Sequence, residues 1–269
     1  MFMLKYQPLE TIAYGKRIYT FFFSGLSGIK IPIPKNRYPP PFENTSRLTY
    51  YSSFFNSIEI NSSFYKVPQC ATVTKWASSV PEYFKFTFKL SKVITHSKGF
   101  NFEEEDVAKF LKSINSVYGK KGCLLVQFPP GMGNERISGL EKLLVCIRKN
   151  EGVDWKIAIE FRNTSWYNKT TYDLLKRFKA CLVIHDIPKS STPMITHASD
   201  FVYIRFHGPT GNYRDSYSEY FLSEYASYIK EWIAEGKNVY LYFNNTMGDA
   251  FNNLRTINGF LSHKNSLIQ

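Results

Sequence analysis

Cysteine is scarce in this chain and poorly spaced for chemistry. The four, Cys70, Cys123, Cys146 and Cys181, lie far apart and make no CxxC pair, which argues against a zinc ribbon or a disulfide framework and for a reducing, cytoplasmic setting. No apolar stretch approaches the ~20 residues of a membrane span, and charges interrupt the N-terminal MFMLKYQPLETIAYGKR before any signal-like run forms. GxGxxG and GxxxxGK[ST] are absent, which removes the dinucleotide and P-loop readings. Without GxSxG there is no serine-hydrolase elbow, and without HxH, HExxH or DxD no diagnostic metal signature. Acidic residues are also in deficit, 22 against 34 Lys and Arg, for a formal charge of +12. That surplus favours anionic partners, a phosphorylated small molecule or nucleic acid, although no like-charge run of five makes a basic tail.

What is abundant is the short apolar run ending in a polar residue. There are eight: TFFFSG (20–25), SIEIN (57–61), FKFTFKLS (84–91), CLLVQFP (123–129), KIAIEFR (156–162), CLVIHD (181–186), FVYIRFHG (201–208) and VYLYFNN (239–245). Each has the length and composition of a buried strand. Amphipathic stretches fill most gaps, at 44–55, 69–79, 102–118, 138–150, 172–179, 218–235 and 249–262. Between Ile187 and Phe201 only PKSSTPMITHASD intervenes, too short and polar for a full helix. The expected fold is α/β, a single parallel (β/α)8 TIM-type barrel with one crossover helix reduced. Such a barrel takes ~250 residues, so residues 1–269 are expected to form one domain.

In a parallel barrel the chemistry sits where the strands end, and residues two apart on a strand share a face. Glu59 shares its face with Asn61, Glu160 with Arg162, and Tyr203 and Arg205 with His207. Lys89, Gln127 and Asn244 complete an expected inward set, with Asp186 as an addition and Asn245 beside it. Unpaired charges there would be costly to bury, so they face a ligand or one another. His96, Trp166 and Tyr65 follow strands on the same side and are candidates for stacking a ring or for roofing the barrel. If a divalent metal is the cofactor, its ligands are Glu160, Asp186 and His207, with Glu59 in reach.

The strings FFNSIEINSSFYKVP (54–68), FKFTFKLSKVITH (84–96), QFPPG (127–131), AIEFRNTSW (158–166), FVYIRFHGP (201–209) and YLYFNN (240–245) resemble the YecE-like family, the domain of unknown function numbered 72. The resemblance runs from the first strand to about residue 255 and implies a TIM-type barrel. Its recurrent strand-end positions fall on Glu59, Asn61, Lys89, His96, Gln127, Glu160, Arg162, Trp166, Asp186, Arg205, His207, Asn244 and Asn245. One departure is Ile29 in SGLSGIKIP, where the family usually has an aromatic residue. Because that family has no established reaction, function must be argued from the residues.

The favoured reading is an enzyme acting on a phosphate-bearing substrate, nucleic acid included. Lys89, Arg162 and Arg205 would clamp the anion, Glu59 or Glu160 would be the general base, and His207 the acid. The first alternative is a carbohydrate-active hydrolase or isomerase using Glu59 and Glu160 as paired carboxylates. The second is a nucleic-acid-binding protein without turnover.

Overall fold

The computed structural model describes residues 21–150, 154–195 and 199–262. Nine strands fall on the eight apolar runs: β1 (Phe22–Leu26), β2 (Ser57–Ile60), β3 (Lys85–Lys89), β4 (Lys121–Gln127), β5 (Lys156–Glu160), β6 (Ala180–Leu182), β7 (Ile184–His185), β8 (Phe201–Phe206) and β9 (Asn238–Phe243). All pairings are parallel, in two sheets ordered β2-β3-β4-β5-β6 and β1-β9-β8-β7. The fold is therefore α/β with parallel sheets, but the backbone ladder does not run unbroken around one ring as expected.

It is interrupted at two seams. At the first, β6 and β7 flank Val183 as two halves of one run, CLVIH; β6 pairs with β5 and β7 with β8. Val183 N still donates to Ile159 O at 2.8 Å, so the chain changes partner without leaving the layer. At the second, β1 and β2 share only a bridge between Ser27 and Glu59. Side chains take the ladder's place there. Asn56 accepts from Ser24 N and donates to Phe22 O, both at 2.8 Å, while Tyr51 Oη accepts from Leu26 N and donates to Ser57 O. Gly25 permits this approach, since a Cβ would lie 2.1 Å from the Ser57 carbonyl oxygen. Replacing Tyr51 by Phe leaves a buried N–H and a buried carbonyl without that partner. We expect a loss of about 2 kcal/mol in urea unfolding, and a loss within error would assign the seam to packing.

The helices are α1 (Arg47–Tyr51), α2 (Ser62–Tyr65), α3 (Cys70–Ser78), α4 (Lys92–Thr95), α5 (Glu104–Ile114), α6 (Ile137–Lys149), α7 (Lys169–Arg177), α8 (Glu219–Ala234) and α9 (Ala250–Ser262). Glu104, Glu105 and Asp106 occupy the first turn of α5, where the helix dipole favours acids. The helix expected to reach Tyr118 stops at Ile114, because the chain tightens into a 3₁₀ stretch in which Tyr118 takes a φ of 50°. Between β7 and β8 the described residues contain no helix. None of the described helices is long and apolar enough to cross a membrane. Whether the chain ends meet, as a closed barrel would lead one to expect, falls outside the described residues.

Strand alternation divides the core in two. Outward residues such as Leu124, Val126, Ile157, Ile159, Ile204 and Leu241 pack in the large cluster with the helices. Inward residues Phe23, Cys123, Leu125, Ala158, Cys181, Val183, Phe201, Tyr203, Tyr240 and Tyr242 form a second, smaller cluster. Toward the strand C-termini the inward positions turn polar, and the site begins there.

Candidate active site at the strand C-termini

Arg205, on β8, is the centre of the polar layer. Its Nε and Nη2 donate as a fork to Glu59 Oε2 and Oε1, at 2.9 and 2.7 Å, and its Nη1 donates to Glu160 Oε2 at 2.6 Å. Tyr203, two residues earlier on the same face, donates to Glu59 Oε2 at 2.5 Å, and Ser27 Oγ to Oε1 at 2.6 Å. Both carboxylates are wholly buried and Arg205 is 1% exposed. Burial alone would raise the carboxyl pKa values. For Glu59 the Arg205 charge and its hydrogen bonds prevail and hold the carboxyl below its ordinary range; for Glu160 the charges of Arg162 and Arg205 hold it well below. Glu59 and Glu160 are therefore ionised acceptors, and neither can serve as a protonated acid.

Arg205 is thus not available as the clamp expected from sequence. Three of its N–H donors go to the two buried carboxylates and Nη1 also faces His207, so an incoming anion would have to displace a carboxylate. Asp186 is bonded to His207, so Lys89, Arg162 and Arg205 stand against three carboxylates, Glu59, Glu160 and Asp186.

Arg162, just past β5, donates from Nε to Glu160 Oε1 at 2.5 Å and from Nη2 to His207 Nε2 at 3.0 Å. Its Nη1 has no hydrogen-bond partner among the described residues, and its side chain is 11% exposed. His207, at the end of β8, also faces Arg205 Nη1 through Nε2, at 3.3 Å, and Asp186 Oδ1 through Nδ1, at 3.3 Å. Two guanidinium donors on Nε2 and a carboxylate on Nδ1 fix one tautomer: Nδ1 carries the proton and Nε2 accepts. Burial, only partly opposed by the hydrogen bond to Asp186, brings the imidazole down to about 4. His207 is therefore a neutral acceptor near neutrality, which overturns its expected role as the general acid.

Asp186 is positioned from both sides. Its Oδ1 accepts from His207 N at 2.8 Å and its Oδ2 from the Tyr217 hydroxyl, which in turn accepts from Gly208 N at 2.6 Å. Gly208 takes a φ of 96°, and a Cβ there would sit 2.3 Å from the Arg214 carbonyl oxygen. The loop it opens folds back over the site, with Tyr213 N donating to His207 O and the Tyr213 ring edge-on to the imidazole at 5.6 Å.

Lys89, at the end of β3, stands apart from these pairings. It is half-buried, with Nζ 4.2 Å from the Phe64 ring centroid and no hydrogen-bonded acceptor among the described residues. Burial, reinforced by the Arg205 charge and opposed by Glu160 and Glu59, lowers its pKa to about 8.

The remaining candidates divide. Gln127 is buried beside Glu160 in the β4–β5 register, but its amide donates to Phe128 O. Asn61, just past β2, has a buried Oδ1 with no hydrogen-bond partner among the described residues. Asn244 is half-buried. His96 is exposed, edge-on to Phe64 at 5.0 Å, and burial together with Lys89 and Lys92 lowers its pKa. Tyr65 is exposed as expected. Trp166 is not a stacking platform: it is wholly buried, stacked on Phe161 at 4.4 Å, and its Nε1 donates to Met132 O. Asn245 is also structural, donating to Asp215 O and Asn253 Oδ1 to hold the loop after β8.

Among the described residues no group of three or more His, Cys, Asp or Glu is placed to hold a metal ion. The proposed ligand set is already spent, Glu59 and Glu160 on arginines and Asp186 on Tyr217 and His207. Tyr203 lies where parity with Arg205 puts it, whereas Ser27, Phe64 and Tyr217 carry no local signal in the sequence.

A family model described as "Protein of unknown function DUF72" matches residues 25–268. The UPF0759 protein YunF of Bacillus subtilis is 30% identical over 247 residues, 80% of this chain and 86% of that protein. A crystal structure of a DUF72 family protein from Enterococcus faecalis is similar at a TM-score of 0.74 and 25% identity, over 91% of this chain and 98% of that one. D-psicose 3-epimerase, solved in the presence of D-fructose, is similar at a TM-score of 0.56 and 9% identity, over 90% of this chain and all of that one; at that identity it bears on the fold alone, which is TIM-barrel-like.

Proposed function

This chain belongs to the DUF72 family, whose function is unknown, and from its own residues we propose an enzyme acting on a phosphate-bearing substrate at the C-terminal mouth of a single-domain, closed (β/α)8 barrel. The observation that carries the reading is an imbalance of commitment. Arg205, Glu59 and Glu160 satisfy one another below, while Lys89 Nζ and Arg162 Nη1 at the rim are left without acceptors among the described residues. An ammonium withdrawn from water without an acceptor is costly, and an anion bound between it and Arg162 offsets that cost. The unpartnered Asn61 Oδ1 adds an acceptor for a hydroxyl or amide group. Closure of the barrel is supported by the Ser27–Glu59 bridge and by the continuity of β6 and β7 through Val183. A reducing, cytoplasmic setting fits the four free thiols.

The test is calorimetric titration with inorganic phosphate, on the unaltered protein and on Lys89→Met. We expect at least about tenfold weaker binding in the variant, with an unfolding midpoint little changed, because Lys89 Nζ makes no hydrogen bond or ion pair among the described residues and Met keeps an apolar contact with Phe64. Affinity should also fall as pH rises through about 8, where the ammonium loses its proton. No phosphate binding by the unaltered protein sinks the proposal. The paired-carboxylate reading is weaker on this geometry, since Glu59 and Glu160 share one arginine and neither is available as an acid.

A further inference from the structure

We propose that Lys89 is a covalent residue, its Nζ condensing with the carbonyl carbon of an aldehyde or ketone substrate to form an imine. The inference rests on the preceding reading of the mouth, with Arg162 holding the phosphate of a carbonyl compound and Lys89 addressing the adjacent carbon. Its ground is a contrast among the lysines withdrawn from solvent. Lys120 ends on the carbonyl oxygens of Ala77 and Val80, at 2.7 and 2.9 Å, and Lys85 on that of Gly119 at 2.7 Å. Those lysines anchor the fold. Lys89 anchors nothing, yet its root is fixed: Ser63 Oγ donates to Lys89 O at 2.7 Å, and Leu90 N to Leu125 O at 2.8 Å.

The surroundings of Nζ suit a neutral amine. One side is the Phe64 ring, and the facing charged groups are Arg205 from β8, Glu59 from β2, and Glu160 and Arg162 from β5 and its end, with His96 beyond α4. The two carboxylates that would favour an ammonium are tied to Arg205 and Arg162, so burial and the cationic neighbours act against the charge and outweigh the attraction of the Phe64 face. Burial takes the group to about 8, so an appreciable fraction carries the lone pair at neutral pH. In the reaction that lone pair attacks the carbonyl carbon, and the carbonyl π pair moves to oxygen, which takes a proton. The carbinolamine then loses its oxygen as water, both amine protons being accounted for in that water, and a C=N bond remains. No oxidant, reductant or metal is needed.

The probe is glycolaldehyde phosphate with sodium cyanoborohydride at about pH 7, in parallel with unphosphorylated glycolaldehyde, followed by peptide mass spectrometry. The hydride fixes any imine as a secondary amine, and the unaltered protein is used throughout. We expect Lys89 to be modified about tenfold faster than the exposed Lys92 and Lys98 of the same molecule. Label spread evenly over the surface lysines overturns the inference. Inorganic phosphate separates the two proposals: protection of Lys89, with preference for the phosphorylated aldehyde, supports both. Selective labelling by both aldehydes alike, without protection, keeps the imine and removes the phosphate. Phosphate binding by calorimetry with no selective label removes the imine and keeps the phosphate.

Discussion

Replacing Arg205 by Ala is expected to lower the unfolding free energy by about 3–5 kcal/mol, the largest loss of any single substitution in the polar layer. The guanidinium is 1% exposed and holds Glu59 through two hydrogen bonds and Glu160 through one. Without it Glu59, wholly buried, loses its counter-charge and keeps only the hydroxyls of Ser27 and Tyr203, while Glu160 is left with Arg162 alone. Arg205→Lys should fall between, because an ammonium can neutralise charge but cannot span two carboxylates as a planar fork does. Adding Glu59→Gln to Arg205→Ala should recover part of the loss by removing one stranded charge. Urea unfolding of the four proteins measures this. A loss under about 1 kcal/mol in Arg205→Ala would mean the network contributes little to folding, and Arg205 would return to consideration as a ligand-binding cation.

The expected behaviour of Arg205 also shows where sequence reasoning stops. Parity along a strand correctly puts Glu59, Glu160, Arg162, Arg205 and His207 in one layer, because the period of two is a property of the backbone. Parity does not tell whether an inward charge meets a ligand or a neighbour. Glu59 and Arg205 are 146 residues apart, and their pairing depends on strands β2 and β8 facing across the interior, which no local pattern encodes. The same limit hides the link between Asp186 and Tyr217, made by a loop that bends at Gly208. Trp166 misleads for a different reason. In KIAIEFRNTSW Phe161 turns outward after Glu160, and the 3₁₀ turn Thr164–Trp166 brings Trp166 back to stack on Phe161 and Phe128. The run CLVIHD reads as one strand, and its change of partner at Val183 leaves no mark in composition. Hydrogen bonds, which no string shows, separate the residues that hold the fold, such as Arg205, Trp166 and Asn245, from Lys89, which is left without an acceptor among the described residues.

Acid should unfold this protein earlier than its carboxylates alone require, and His207 is the cause. The imidazole sits at about 4 in the folded protein against an ordinary 6.5. A base with a depressed folded pKa binds its proton more readily in the unfolded chain, so between about pH 6.5 and 4 the unfolded state holds more protons. Stability then rises with pH across that window and is lost as pH falls through it, by about 1.4 kcal/mol per pH unit and about 3 kcal/mol in all. His185, also lowered, chiefly by burial, acts in the same direction. Below that window Glu59 and Glu160 continue the loss, since their folded pKa values are held under the ordinary carboxylate range. His207→Gln can keep an acceptor toward the arginines and a donor toward Asp186 while removing the titration. The difference between its urea-unfolding profile and that of the unaltered protein should therefore carry the slope between about pH 6.5 and 4 and be flat above it. Parallel profiles for the two proteins would show that His207 takes up its proton at the same pH folded and unfolded. In that case the neutral, Nδ1-protonated imidazole inferred from its contacts would be wrong, and His207 could again be considered as the proton donor to a substrate at the mouth.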